Sequence, residues 1–190
     1  MKTLKNYLFR RRYTTLLKKG NHEHRFVTYD KAKTIFLLFE FRVEQYLPFV
    51  SIIESLERDG KNVVAWAYCS DSKMEKTLDR QKYPRLNIFG KSSLDYSEKL
   101  QSNALNNLQE NSFDLLIDLS LRPILPLMYV VLYANADCKT GMKKTDYPLF
   151  NFMIDLDSST DTNSNSSLLV SEQCVFDQII FYLKSIQTTD

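Results

Sequence analysis

Six polar residues stand where a parallel-sheet protein would do its chemistry. Glu40 and Arg42 follow one apolar run, Asp118, Ser120 and Arg122 follow another, and Lys143 follows a third. Two carboxylates and two guanidiniums around one crevice can hold a polar or phosphorylated ligand, because the guanidinium fork matches carboxylate and phosphate oxygens two at a time. These six are the ligand-binding candidates; Ser70, Asp71 and Gly141 lie at neighbouring run ends. The pattern assigns no catalytic residue. The turn Phe39-Glu40-Phe41-Arg42-Val43-Glu44 carries no glycine, and a dinucleotide needs one there for its pyrophosphate to approach the backbone. A Walker lysine loop and a Gly-x-Ser-x-Gly elbow are missing too. The only histidines, His22 and His24, lie outside the run ends, so a hydrolase triad has no obvious base. As a His-x-His pair they have no cysteine or carboxylate cluster nearby, and they read as an exposed linker. No metal and no cofactor are expected. Asp114 and Asp118 share a face of one strand but stand about 13 Å apart by strand rise, too far for a close catalytic pair. The ordinary use of such polar residues is helix capping and loop solvation.

The element that must position Asp118 to Arg122 is Phe113-Asp114-Leu115-Leu116-Ile117-Asp118-Leu119-Ser120. Its apolar residues scarcely alternate, which marks a strand covered on both faces. Thr34 to Phe39 reads the same way, Asn62 to Tyr68 is another strand, and Leu86 to Phe89 is a short edge strand. Asp137 to Gly141 and Phe150 to Leu156 complete six. Between them lie helical stretches. Val43 to Asp59, its regular helix starting around Leu47 because of Pro48, has Leu47, Val50, Ile53 (or Glu54) and Leu56 (or Glu57) on its buried face and Gly60 as cap. Asp95 to Glu110 and Ile124 to Asn135 are the next two, the latter with Pro123 suited to its first turn. Asp71 to Arg80 is a loop or short helix. Leu168 to Gln187 closes the chain, with Leu169, Phe176, Ile179, Ile180, Leu183 and Ile186 as its core stripe, and Cys174 and Phe181 off it, where they could form a small exposed patch. Asp157 to Ser167 is a polar loop.

Strands alternating with helices predict a three-layer α/β/α sandwich with a mainly parallel, Rossmann-like sheet, ordered 3-2-1-4-5 with the sixth strand outside the fifth. Residues 1–30 read as a basic N-terminal arm or helix and 31–190 as a single domain. A chain of 190 residues with 44% hydrophobic and 25% charged residues is long enough to bury a core unaided. Three cysteines (Cys69, Cys138 and Cys174), odd in number and widely spaced, predict reduced, buried thiols and a cytoplasmic compartment. No run reaches membrane-spanning length, and no apolar leader opens the chain.

Net charge is only +2, yet Lys2, Lys5, Arg10, Arg11, Arg12, Lys18 and Lys19 crowd the first 20 residues with no acid among them. Leu4, Tyr7, Leu8, Leu16 and Leu17 give that segment a thin helical stripe. Such an arm suits an anionic membrane surface, which would place the protein peripherally at the inner membrane, or a nucleic acid. The plainer reading is a solvated helix packed loosely on its own domain.

The succession "FDLLIDLS", an apolar helix, "ANADCKTGM", "YPLFNFMIDL" and "FDQIIFYLKSI", after a basic arm and "KTIFLLFE", resembles a family of small uncharacterised bacterial proteins, a domain of unknown function. That resemblance implies the fold and no activity. Locally, "FDLLIDLS…YANADCKTGM" is also similar to one half of heptosyltransferase-type glycosyltransferases. Those enzymes carry a Gly-Asp turn where this chain has Glu40-Phe41-Arg42, and a second domain for the nucleotide-sugar. The sequence thus supports first a non-catalytic module that binds a protein partner or itself, and second a binder or transferase acting on a phosphorylated small molecule or sugar.

Overall fold

The computed structural model describes residues 2–18, 27–155 and 170–186. His22, His24, the polar stretch 157–167 and Leu169 lie outside them. Among the described residues six strands form one sheet: β1 (Thr34–Glu40), β2 (Asn62–Tyr68), β3 (Asn87–Phe89), β4 (Ser112–Asp118), β5 (Asn135–Met142) and β6 (Phe152–Ile154). Their order is β3-β2-β1-β4-β5-β6, and every pairing is parallel. The helices are α1 (Lys2–Lys18), α2 (Tyr46–Arg58), α3 (Ser72–Thr77), α4 (Ser102–Glu110), α5 (Leu125–Tyr133) and α6 (Glu172–Ser185). This is the three-layer Rossmann-like arrangement that the alternation of runs predicts.

The central strands are apolar throughout because both faces are covered. Ile35, Leu37 and Phe39 point into one core with Phe49, Ile52, Ile53 and Leu56 of α2 and Val175, Phe176, Ile179 and Leu183 of α6. Phe36, Leu38 and Leu116 point into the other, against Phe9 and Tyr13 of α1, Leu105 and Leu108 of α4, and Leu127, Tyr129, Val130 and Val131 of α5. Each such side chain contributes about 1.5–3 kcal/mol when fully buried. Asp114 fixes the far end of the strands. Its carboxylate accepts the N–H groups of Lys33 at 2.6 Å and Thr34 at 2.7 Å, and the Thr34 hydroxyl at 3.0 Å, so it pins β1 to β4 at their amino ends.

Several details differ from the sequence expectations. Leu47, expected in the core, is 72% exposed, and Phe49 and Ile52 take that face of α2. Pro126, not Pro123, sits in the first turn of α5. The helix expected from Asp95 begins only at Ser102. Asp95 instead folds residues 94–100 into a loop, its carboxylate accepting Ser97 N–H at 2.8 Å, Ser97 Oγ at 2.6 Å and Lys99 N–H at 3.1 Å. Glu98 within that loop has φ 67, a left-handed conformation no helix tolerates. Cys69 and Cys138 are buried as expected; Cys174 is exposed, against the reading of three buried thiols but in keeping with its place off the α6 stripe, where Phe181 is exposed too.

On α1 the buried face is only partly the leucine stripe, with Leu16 packed against the core. Phe9 and Tyr13 are buried, while Leu4 and Tyr7 face outward. Phe9 meets Tyr129 edge-on at 5.0 Å and Tyr147 at 5.3 Å between ring centroids, and Tyr13 meets Tyr147 at 5.3 Å. Nor is every basic group unopposed, since Lys5 Nζ pairs with Glu98 Oε1 at 2.6 Å.

One buried lysine has a structural explanation. Lys139 in β5 is 3% exposed, and its Nζ donates to the Val131 carbonyl at 2.8 Å. Val131 stands in the last turn of α5, where carbonyls lack helical partners and cations are favoured. Burial nevertheless pushes the amine down to about 8. A depressed amine sheds its proton in the folded state before the unfolded chain does, so it adds stability as pH rises from about 8 toward the unfolded value near 10.4. The buried thiols of Cys69 and Cys138 are pushed up by burial and act in the opposite sense over part of that range. The difference between wild type and Lys139→Met isolates the lysine. Urea melts from pH 7 to 10 should show wild type gaining on the variant by on the order of 2–3 kcal/mol. A difference flat with pH would mean that the amine titrates normally.

Candidate functional site

The strand order reverses between β1 and β4, and the crevice beyond their carboxyl ends is where open α/β sheets place ligands. Of the six residues that the sequence singles out, four converge there. Glu40 ends β1 and Asp118 ends β4, on the same face and two residues apart in register because Leu38 pairs with Asp118. Arg122 reaches back to Glu40, with Nη2 2.5 Å from Oε1 and Nε 3.2 Å from Oε2, a two-pronged pair. Ser70 Oγ adds a third bond to the same carboxylate at 2.8 Å. Burial opposes charge on Glu40, but the bonds from Arg122 and Ser70 and the charges of Arg122 and Arg42 outweigh it, holding the carboxyl below its usual range.

Asp118 and Ser120 turn the other way, toward β5. Asp118 Oδ1 accepts the Ser120 N–H at 2.9 Å and its hydroxyl at 2.6 Å, a local turn that a short acidic side chain readily makes. Asp118 Oδ2 accepts from Lys144 Nζ at 2.7 Å, and the same ammonium donates to Ser120 Oγ at 2.7 Å. Both charged side chains are nearly sealed, at 6% exposure for Lys144 and 3% for Asp118. The Lys144 ammonium also stands 5.7 Å from the centroid of the Phe150 ring. That ring lies over Gly141, the residue beside Asp118 across the β4–β5 pairing. A Cβ on Gly141 would come within 2.7 Å of it, so only glycine admits the ring there.

The other two candidates leave the crevice. Arg42 pairs with Glu172 at the start of α6 and belongs to that helix's side of the sheet. Lys143 pairs with Asp155 at 2.8 Å, at the outer end of β6. Lys144 is the functional-type residue that sequence reasoning missed. Lys143 and Lys144 are adjacent after β5, and consecutive side chains point to opposite sides, so one of the two had to face inward.

Asp118, Ser120, Arg122, Ile124, Met128, Lys144 and Phe150 are among the residues lining a pocket with about 10 Å³ open to a water molecule's centre, room for one water. Chemically this is a closed ion pair with a hydroxyl between its partners. The Lys144 side chain donates to both the Asp118 carboxylate and the Ser120 hydroxyl. Among the described residues, no group of three or more His, Cys, Asp or Glu side chains could hold a metal ion. No helix among them is long and apolar enough to cross a membrane.

A family model, described as a family of unknown function (DUF6913), matches residues 5–171. The chain belongs to this family. The DUF6913 match begins inside α1 and ends at Ser171, the residue whose hydroxyl caps α6 by accepting Cys174 N–H at 3.2 Å. The family model therefore takes in the buried Phe9 and Tyr13 contacts and the whole sheet. No curated protein and no solved structure matches the chain.

Proposed function

We propose that this chain is a non-catalytic α/β module of a bacterial cytoplasm that binds a macromolecular partner. The observation that carries this reading is that the charged candidates, inside the crevice and beside it, are already paired. Glu40 is matched by Arg122, Asp118 by Lys144, Arg42 by Glu172 and Lys143 by Asp155. A ligand would have to replace these pairs instead of meeting unpaired charge, and the pocket beside them has room for one water. The surfaces offered to a partner are the outer face of α1 and the exposed side of α6, where Phe181 is 63% and Tyr182 45% exposed.

The test is a thermal-shift screen against nucleotides, sugar phosphates and divalent metals. A ligand at 100 times its dissociation constant adds about 2.7 kcal/mol, which in a chain of this size moves the midpoint by about 5–10 °C. The expected result is no movement. A shift of that size by any sugar phosphate or nucleotide would overturn the reading.

Such a shift would favour a second function, a binder or transferase for a phosphorylated small molecule or sugar. One observation supports it: Lys144, Arg122 and Ile124, the residue preceding α5, line one pocket. An anion displacing Asp118 from Lys144 would there meet an ammonium and the N–H groups of a helix start.

A further inference from the structure

The charge on this protein is separated in space. α1 carries six of the 25 basic residues, Lys2, Lys5, Arg10, Arg11, Arg12 and Lys18, and none of the 23 acidic ones. The remainder of the chain, with 19 basic residues against 23 acidic, is net −4. The helix is fixed to the domain by Phe9 and Tyr13, so this charge is held on a rigid element. Lys5 is spent on Glu98, but Arg10, Arg11 and Arg12 are exposed and make no ion pair among the described residues. Successive outward positions read Leu4, Tyr7, Arg11, Thr14 and Lys18, a stripe about 21 Å long at the helical rise. Arg10 and Arg12 flank it. Tyr7 is 60% exposed, and the loop that Lys5 ties to α1 through Glu98 displays Tyr96 at 79% exposure.

We infer that the outward face of α1 binds a single-stranded nucleic acid, its arginines and Lys18 on the phosphates and Tyr7 stacked on a base. This deepens the partner-binding reading above and rests on it. Strand binding without sequence readout needs a row of cations and aromatic faces on which bases stack. Guanidinium, dominant here, meets phosphate oxygens two at a time. A lipid surface fits less well. An interfacial helix inserts a continuous apolar face, whereas this one offers Leu4 and Tyr7 and then Arg, Thr and Lys.

The experiment titrates the full chain into a fluorescein-labelled uridine oligonucleotide of about 12 nucleotides, across a salt series, with a parallel arm of vesicles containing phosphatidylserine. Four phosphate contacts predict log K falling against log salt with a slope of about −3, and Arg10→Gln/Arg11→Gln/Arg12→Gln should bring it to about −1. Tyr7→Ala should weaken binding about 10-fold while leaving the slope unchanged. These sites are exposed, so the thermal midpoint of each variant should hold. Should the triple variant not fold, the single change Arg11→Gln is read instead, with an expected loss of about 0.7 in slope. No RNA binding, a slope indifferent to the arginines, or binding confined to the vesicles overturns the inference. If RNA fails while the small-molecule screen stays flat, only this inference falls. If a sugar phosphate raises the midpoint, it is the broader reading that fails.

Discussion

Lys144→Met should lower the thermal midpoint by about 6–20 °C. The substitution keeps the side chain's length and removes its charge, leaving Asp118, 3% exposed, with the two bonds from Ser120 and no counter-charge. Breaking a buried pair by removing one partner costs about 3–5 kcal/mol, since the remaining ion cannot return to water. For a domain of this length each kcal/mol corresponds to about 2–4 °C. The partner replacement should reverse much of the loss: in Asp118→Asn/Lys144→Met no buried charge remains, and neutral replacements of buried pairs are often tolerated. A double variant no more stable than the single one would show that the pair contributes net stability of its own. A single variant that melts with wild type would mean that Asp118 reaches solvent.

Phe9→Ala should be comparably severe, at about 3–5 kcal/mol, read as a fall in the urea midpoint at unchanged slope. Phe9 is 1% exposed and touches Tyr13, Tyr129 and Tyr147. The truncated side chain leaves a cavity ringed by three tyrosines, whose rigid rings cannot close on it. Leu4→Ala, on the outward face of the same helix, should change stability by less than about 0.5 kcal/mol. The two together distinguish a helix built into the core from an appended arm. Equal, small effects would mean that α1 is dispensable to the fold.

What the sequence shows and hides follows from where each signal resides. β2 runs from Asn62 to Tyr68 as read from its residues, and the apolar runs of β1 and β4 place the centre of the sheet, because burial on both faces leaves a local, continuous signature. The convergence of Glu40, Asp118, Ser120 and Arg122 is likewise legible, since it follows from strand order alone. The rest depends on distant partners. Arg42 leaves the crevice because Glu172, 130 residues on, draws it to α6. Lys144 enters to meet Asp118, 26 residues before it, and Ser120. Leu4 and Tyr7 have helical spacing as good as that of Phe9 and Tyr13, and nothing local says which pair meets Tyr129. α4 starts late because the Asp95 side chain captures the backbone of its own loop, a competition that helical periodicity does not register.

The docking of α1 also sets an order of events during synthesis. Its aromatic contacts, Tyr129 and Tyr147, lie well over 100 residues downstream of Phe9. At about 5–20 residues per second, the helix waits on the order of ten seconds after its own translation before the surface that covers it exists. For that interval its apolar and basic sides are both uncovered, beside a ribosome whose surface is itself RNA. A segment made early is therefore secured late: α1 gains its full aromatic cover only when Tyr147 arrives, with β6 and α6 still to be added.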